Sequence, residues 1–261
     1  MASASTQAKR RIAFFVEYDG TDYIGWQAQK SGLPSIQGAF RNVLDDFFRR
    51  PTPIDGSSRT DAGVHALSQL AAITIQHPIQ LAGLKKVLNS RLPKTIAIRS
   101  PREVAEDFFP RHAVRSKTYV YTMYVDRWQQ PLLDRFATRI SHELDIDSME
   151  HAAKALIGTH DFTSFAASDG QSKTNIRTLK AIRVERFGNA QIRLTFTGSA
   201  FLKQMVRNLV GSLIEVGRNH RNNDWIIEVL NAQNRQVAGP TAPARGLTLH
   251  SSDVDWTHGE N

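Results

Sequence analysis

Ser57-Ser58-Arg59-Thr60-Asp61-Ala62-Gly63-Val64-His65-Ala66 is the stretch on which the reading of this chain turns. One acid, Asp61, stands two positions after Arg59, among small residues and beside Gly63. Glycine reaches backbone angles closed to other residues, so the segment suits a tight loop. The apolar sequence from Leu70 to Ile75 reads as a strand, which puts Asp61 at the mouth of a strand. A carboxylate placed there can stay ionised beside a guanidinium and let a substrate come close. The same residues also make an ordinary polar turn, with Asp61 capping local N–H groups and pairing with Arg59.

Working outward, alternation from Ile12 to Tyr18 predicts a strand with Ile12, Phe14, Val16 and Tyr18 on one face. Asp19-Gly20-Thr21-Asp22 reads as a turn. Pro34-Ser35 opens a helix with Ser35 as N-cap, and Ile36, Phe40, Val43, Leu44, Phe47 and Phe48 fall on one side at helical spacing. Pro51 and Pro53 end it. A second helix is expected from Leu81 to Ser90, then a strand from Thr95 to Arg99. Phe108-Phe109-Pro110-Arg111-His112 reads as a connector.

Beyond it, Lys117 to Val125 is strand-like, Ser148 to Ile157 helical, and Leu179–Phe187 and Gln191–Thr197 form a strand pair turning at Gly188-Asn189. Ser199 is expected to cap a long helix to Val216, followed by a short helix near Trp225 to Leu230 and a strand from Leu247 to His250. The fold expectation is α+β: two similar α/β subdomains whose mostly antiparallel sheets join into a central sheet flanked by helices, with a cleft between them. Residues 1–10 read as a disordered basic arm, 11–110 as a first subdomain carrying Asp61, and 111–261 as a second.

The 261 residues carry 33 Lys and Arg against 25 Asp and Glu, a formal charge of +8, which favours an anionic partner such as nucleic acid. There is no cysteine, so disulfides, thiolate nucleophiles and Cys-ligated zinc are excluded. That removes thiolate-dependent pyrimidine methyltransferases and zinc deaminases. No His-Glu-x-x-His, P-loop or Gly-x-Gly-x-x-Gly spacing appears, which leaves chemistry without metal or cofactor as the expectation. No apolar run approaches the roughly 20 residues of a membrane span, and a cytoplasmic location is expected.

Two further features bear on Asp61. In Lys117-Thr118-Tyr119-Val120-Tyr121 the two tyrosines share a sheet face, where a ring can stack on a base or simply fill the core. In the expected long helix, Lys203, Arg207 and Gly211 lie four apart, separate from the apolar rows. Arg207 is either a solvated cation or a buried one that needs an anion, and Asp61 is a candidate.

Taken together, these residues resemble the TruA-type tRNA pseudouridine synthases. Arg59-Thr60-Asp61-Ala62-Gly63-Val64-His65 is similar to that family's catalytic signature. Tyr18-Asp19-Gly20, Gly25-Trp26-Gln27, Lys117-x-Tyr119-x-Tyr121, His160-Asp161-Phe162, Met205-Val206-Arg207-Asn208 and Thr241-Ala242-Pro243-Ala244-x-Gly246-Leu247 recur in the same order. The resemblance implies an isomerase for uridines 38, 39 and 40 of the tRNA anticodon stem-loop, working as a homodimer, with no cofactor. It implies Asp61 as the catalytic carboxylate, Arg207 as its paired arginine, Tyr119 at the target base, Arg59 in base flipping, and Arg111 as a substrate-binding residue. Phe109 departs from the pattern, standing where many members carry histidine. The competing readings are a non-catalytic RNA-binding protein of the same fold, and a glycoside hydrolase. The latter needs two carboxylates, and only Asp19 and Asp55 are near Asp61 in sequence.

Overall fold

The computed structural model describes residues 8–29, 32–188 and 190–259. The chain divides into two compact units, Met1–Arg115 with Ser252–Asn261, and Ser116–Ser251.

In the first unit β1 (Arg10–Tyr18) lies between β3 (His65–Ile75) and β4 (Ile96–Val104), antiparallel to both, and the short β2 (Ile54–Gly56) pairs with β3. Ile12, Phe14, Val16 and Tyr18 are all buried, as their alternation requires. Phe14 meets Phe40 of α1 (Ile36–Phe48), ring centroids 6.0 Å apart. Ser35 caps α1, its hydroxyl accepting from Gly38 N. The two preceding helix N–H groups, of Ile36 and Gln37, donate to Gly25 and Trp26 carbonyls. Ser35→Ala should lower unfolding free energy by about 1 kcal/mol in urea titrations, the usual cost of an N-cap.

The helix α2 (Leu81–Arg91) follows expectation, but several bounds do not. β3 starts five residues before Leu70, because Gly63-Val64 turns the chain directly into pairing with β1. The connector around Phe109 contains a one-turn helix, α3 (Pro110–Ala113), and Phe108 is core. On the sheet face opposite α1, Phe108 and Phe15 pack with Trp256, which returns from the chain's end. Asp255 N donates to Ala113 O at 2.7 Å, and Ser252 Oγ to Ser68 O at 2.9 Å. Of the expected basic arm, residues 1–7 lie outside the described residues. Arg10 already belongs to β1 and pairs with Glu103, and the buried Arg11 bonds Asp55 at 2.6 Å.

The second unit orders its strands β5 (Val114–Val125), β9 (Gln191–Gly198), β8 (Ile176–Phe187) and β7 (Gly158–Asp161), all antiparallel, with β6 (Thr138–Ile140) parallel to β5. Tyr119, Tyr121 and Met123 share the buried face with Ile192, Leu194 and Phe196. The helix α4 (Ile146–Lys154) lies against β8 and against α5 (Met205–Gly217). The expected hairpin between β8 and β9 forms, with Phe187 opposite Gln191; Asn189 of its turn lies outside the described residues.

The long helix does not start at Ser199. Ser199 N donates to Thr178 O, a strand-type bond, and Gln204 takes a left-handed φ of 59° just before α5. Lys203 instead pairs with Asp169, and its carbonyl accepts from Ala167 N. The apolar spacing from Phe201 to Met205 imitated a helical turn, while the main-chain bonds went to neighbouring strands and loops. The short helix α6 (Trp225–Ala232) follows, and β10 (Leu247–Val254) begins in the second unit and ends in the first.

Candidate functional site

Asp61 sits in the loop between β2 and β3, partly buried. The upstream limb of the loop is tied to the sheet: Ser57 N donates to Leu70 O, Ser57 Oγ donates to Gln69 Oε1 at 3.1 Å, and the fully buried Gln69 amide donates to Ser58 O. On the downstream side Val64 N donates to Asp61 O at 3.2 Å, closing a turn through Gly63, whose φ of 74° a side chain would resist.

A second loop, residues 19–27, clasps the first. Trp26 N donates to Thr60 O at 3.2 Å and Gly63 N to Tyr23 O at 3.1 Å. The contact is as close as glycine allows: a Cβ on Gly25 would stand 2.3 Å from Thr60 O, and one on Gly20 2.0 Å from Val64 O. Tyr18 OH lies 2.8 Å from Thr60 Oγ1. Gly20 N donates to His65 Nδ1 at 3.1 Å, and Asp19 Oδ1 lies 3.2 Å from the same nitrogen. The recurrent segments Tyr18-Asp19-Gly20 and Gly25-Trp26-Gln27 therefore bracket Asp61, the second through the Trp26 main-chain bond and the first through bonds to the Thr60 and His65 side chains. The residue types alone suggested only a turn; two glycines five apart ahead of a tryptophan were the available signal.

The acids needed for a hydrolase are otherwise engaged. Asp55 is bonded to Arg11, and Asp19 accepts from Thr21 N and Oγ1. Arg59 is exposed beside Asp61 in the first unit, and Arg111 is exposed in α3 of the same unit.

Tyr119 and Arg207 belong to the second unit. Tyr119 is 7% exposed and meets Phe201 edge-on, ring centroids 4.9 Å apart. Arg207, in the first turn of α5, donates from Nε to Ala242 O at 2.7 Å, and Ala242 N returns a bond to Arg207 O. The segment after Gly239 lies along α5. Thr241 Oγ1 and Arg235 Nη2 both donate to the buried Asn208 Oδ1, at 2.7 and 3.2 Å, and Gly239 N donates to Ser212 Oγ. Tyr121 donates to Pro243 O at 3.0 Å and touches Thr138 Oγ1 at 2.7 Å. Burial pushes its phenol up to about 12, against the lowering effects of the Thr138 bond and the Arg207 and Arg245 charges. Tyr121 is thus a neutral strut at physiological pH. The segments Met205–Asn208 and Thr241–Leu247 hold one another, which sequence spacing did not reveal.

A family model described as tRNA pseudouridine synthase matches residues 14–111 and 152–254. The chain belongs to this family. The "tRNA pseudouridine synthase A" of Myxococcus xanthus is 40% identical over 239 residues, covering 92% of this chain and 90% of that protein. The "tRNA pseudouridine synthase A 2" of Clostridium perfringens is 39% identical, with 92% and 98% covered. The Pectobacterium atrosepticum "tRNA pseudouridine synthase A" is 38% identical, with 95% and 87% covered. This tRNA pseudouridine synthase is an isomerase with a mixed α/β architecture. Asp61 lies in the first matched stretch and Arg207 in the second, while Tyr119 falls between them. Among the described residues, no helix of the synthase is long and apolar enough to cross a membrane.

Proposed function

We propose that this synthase converts uridines 38, 39 and 40 of the tRNA anticodon stem-loop to pseudouridine, with Asp61 as the catalytic carboxylate. The observation that carries the reading is the double clasp on the Asp61 loop, which bonds the main chain on either side of that residue. A reacting group held by its neighbours' backbone is fixed before substrate arrives, which is what catalysis by positioning demands.

The reaction breaks the bond from ribose C1′ to uracil N1 and forms one from C1′ to C5. N1 gains a proton and C5 loses one, so the atoms balance without a co-reactant. Asp61 acts as nucleophile at C1′ or C6, or as a base on the sugar. Arg207 and Tyr119 act on the same uridine, the guanidinium as counter-charge and the ring as a surface for the detached base. Arg59 and Arg111, both exposed, serve the RNA: Arg59 in flipping the base and Arg111 on the backbone. The working form is a cytoplasmic homodimer with tRNA lying across both copies, and the formal charge of +8 suits a phosphate backbone.

Mapping pseudouridine in tRNA after reaction with the purified protein tests the target positions; modification confined to another arm would overturn them. Arg207→Ala should leave a folded protein whose kcat is lower by about 100-fold, the scale of losing one well-placed charged partner. Tritium release from tRNA labelled at uridine C5 reads it directly. A wild-type rate would remove Arg207 from the reaction.

A further inference from the structure

We propose that the hydroxyl pair of Tyr18 and Thr60 sets the position of Asp61, making both of them positioning residues for the isomerisation. The inference rests on reading Asp61 as the catalytic carboxylate.

Tyr18 is the last residue of β1, and the register between β1 and β3 shifts just before it: Val16 faces Gln69, but Tyr18 faces Ala66. Such an irregularity re-aims a side chain. The Tyr18 ring is 3% exposed and lies beside Trp26, centroids 6.3 Å apart. Its hydroxyl reaches Thr60 Oγ1 at 2.8 Å, and Thr60 is 7% exposed.

Three main-chain bonds also tie the segment from Thr60 to Val64: Trp26 N to Thr60 O, Gly63 N to Tyr23 O, and Val64 N to Asp61 O. They fix where the carbonyls lie but do not hold the Thr60 side chain. Threonine is β-branched and stiff at its first side-chain torsion. A bond at Oγ1 therefore fixes Cβ, and through it the frame at Cα to which the Asp61 peptide is attached. Tyr18 is itself held by strand pairing and by the indole. The pair thus ties the residue next to Asp61 to the sheet.

The test measures kcat by tritium release, tRNA affinity and thermal midpoint for Tyr18→Phe, Thr60→Val, their double variant, Thr60→Ser and Asp61→Asn. Misplacement on the order of 1 Å costs up to about 100-fold in rate, so each of the first two should lose roughly 10- to 100-fold in kcat with tRNA affinity unchanged. The double variant should lose no more than either single one, because the two groups make one bond. Thr60→Ser keeps the hydroxyl and should restore most of the rate. A merely structural role would lower the thermal midpoint while leaving kcat intact at temperatures where the variants stay folded. Wild-type kcat in Tyr18→Phe and Thr60→Val, or losses that multiply in the double variant, would overturn the positioning role while an inactive Asp61→Asn left the carboxylate reading standing. An active Asp61→Asn would overturn that reading itself. Should Thr60→Val fail to fold, Tyr18→Phe and Thr60→Ser still decide the matter.

Discussion

Asp61→Asn should abolish isomerisation while tRNA binding persists. The substitution keeps the side chain's shape and removes its negative charge. Every main-chain bond described around the loop survives it, since Trp26 N reaches Thr60 O, Val64 N reaches Asp61 O and Gly63 N reaches Tyr23 O without using the carboxylate. The loop should therefore keep its path, and the thermal midpoint should stay near that of the wild type. The chemistry should not survive. An amide is a poor nucleophile and a poor base, and losing a lone catalytic group of this kind costs at least about 10⁴-fold in kcat. Tritium release from C5-labelled tRNA gives the rate, and filter binding gives the affinity. Normal release by the variant would sink the catalytic assignment. Asp61→Glu is a sharper companion: it keeps the charge but pushes it out by one methylene from a backbone that cannot retreat. A loss of about 100-fold is expected there.

Much of this fold was legible because some segments carry strong local signals. The alternation from Ile12 to Tyr18 and the Ser35 cap each specify an element from a few neighbouring residues, and β1 and α1 follow them. The failures share a cause. Phe201 and Met205 kept helical spacing, yet the Ser199 amide was taken by Thr178, far away in sequence. Trp256 completes the packing on one face of the first unit's sheet from the opposite end of the chain, and no local pattern announces that. Asp61 was legible as a candidate because its loop, an ordinary polar turn when read alone, resembles a family signature whose companion motifs recur along the chain in the same order. Tyr18 and Thr60 were not singled out for a role of their own, since a tyrosine in an alternating strand reads as core. Their pairing depends on a register shift that alternation cannot predict.

Gly211→Ala should lower the thermal midpoint by roughly 10 °C for a protein of this size, equivalent to about 3 kcal/mol. Taken alone, the change ought to help, because alanine is favoured over glycine inside a helix by up to about 1 kcal/mol. The neighbour decides otherwise. A Cβ at Gly211 would stand 1.6 Å from Pro240 O and 2.8 Å from its carbonyl carbon, and both atoms are main chain. No rotamer relieves that overlap, so the segment from Gly239 to Ala242 must lift off α5. Its bonds lift with it: Arg207 Nε to Ala242 O, Ala242 N to Arg207 O, Thr241 Oγ1 to Asn208 Oδ1, and Gly239 N to Ser212 Oγ. Each is worth about 1 kcal/mol net, and the fully buried Asn208 and Ser212 lose partners they cannot replace with water. Activity should fall as well, since Arg207 is held by Ala242. Gly217→Ala, in the same helix, is the control. Its Cβ would meet Met149 Sδ at 2.5 Å and Cγ at 2.8 Å, atoms of a flexible side chain rather than of the main chain. A small shift there beside a large one at Gly211 follows from the contact geometry; equal shifts would mean that the segment does not rest on the helix.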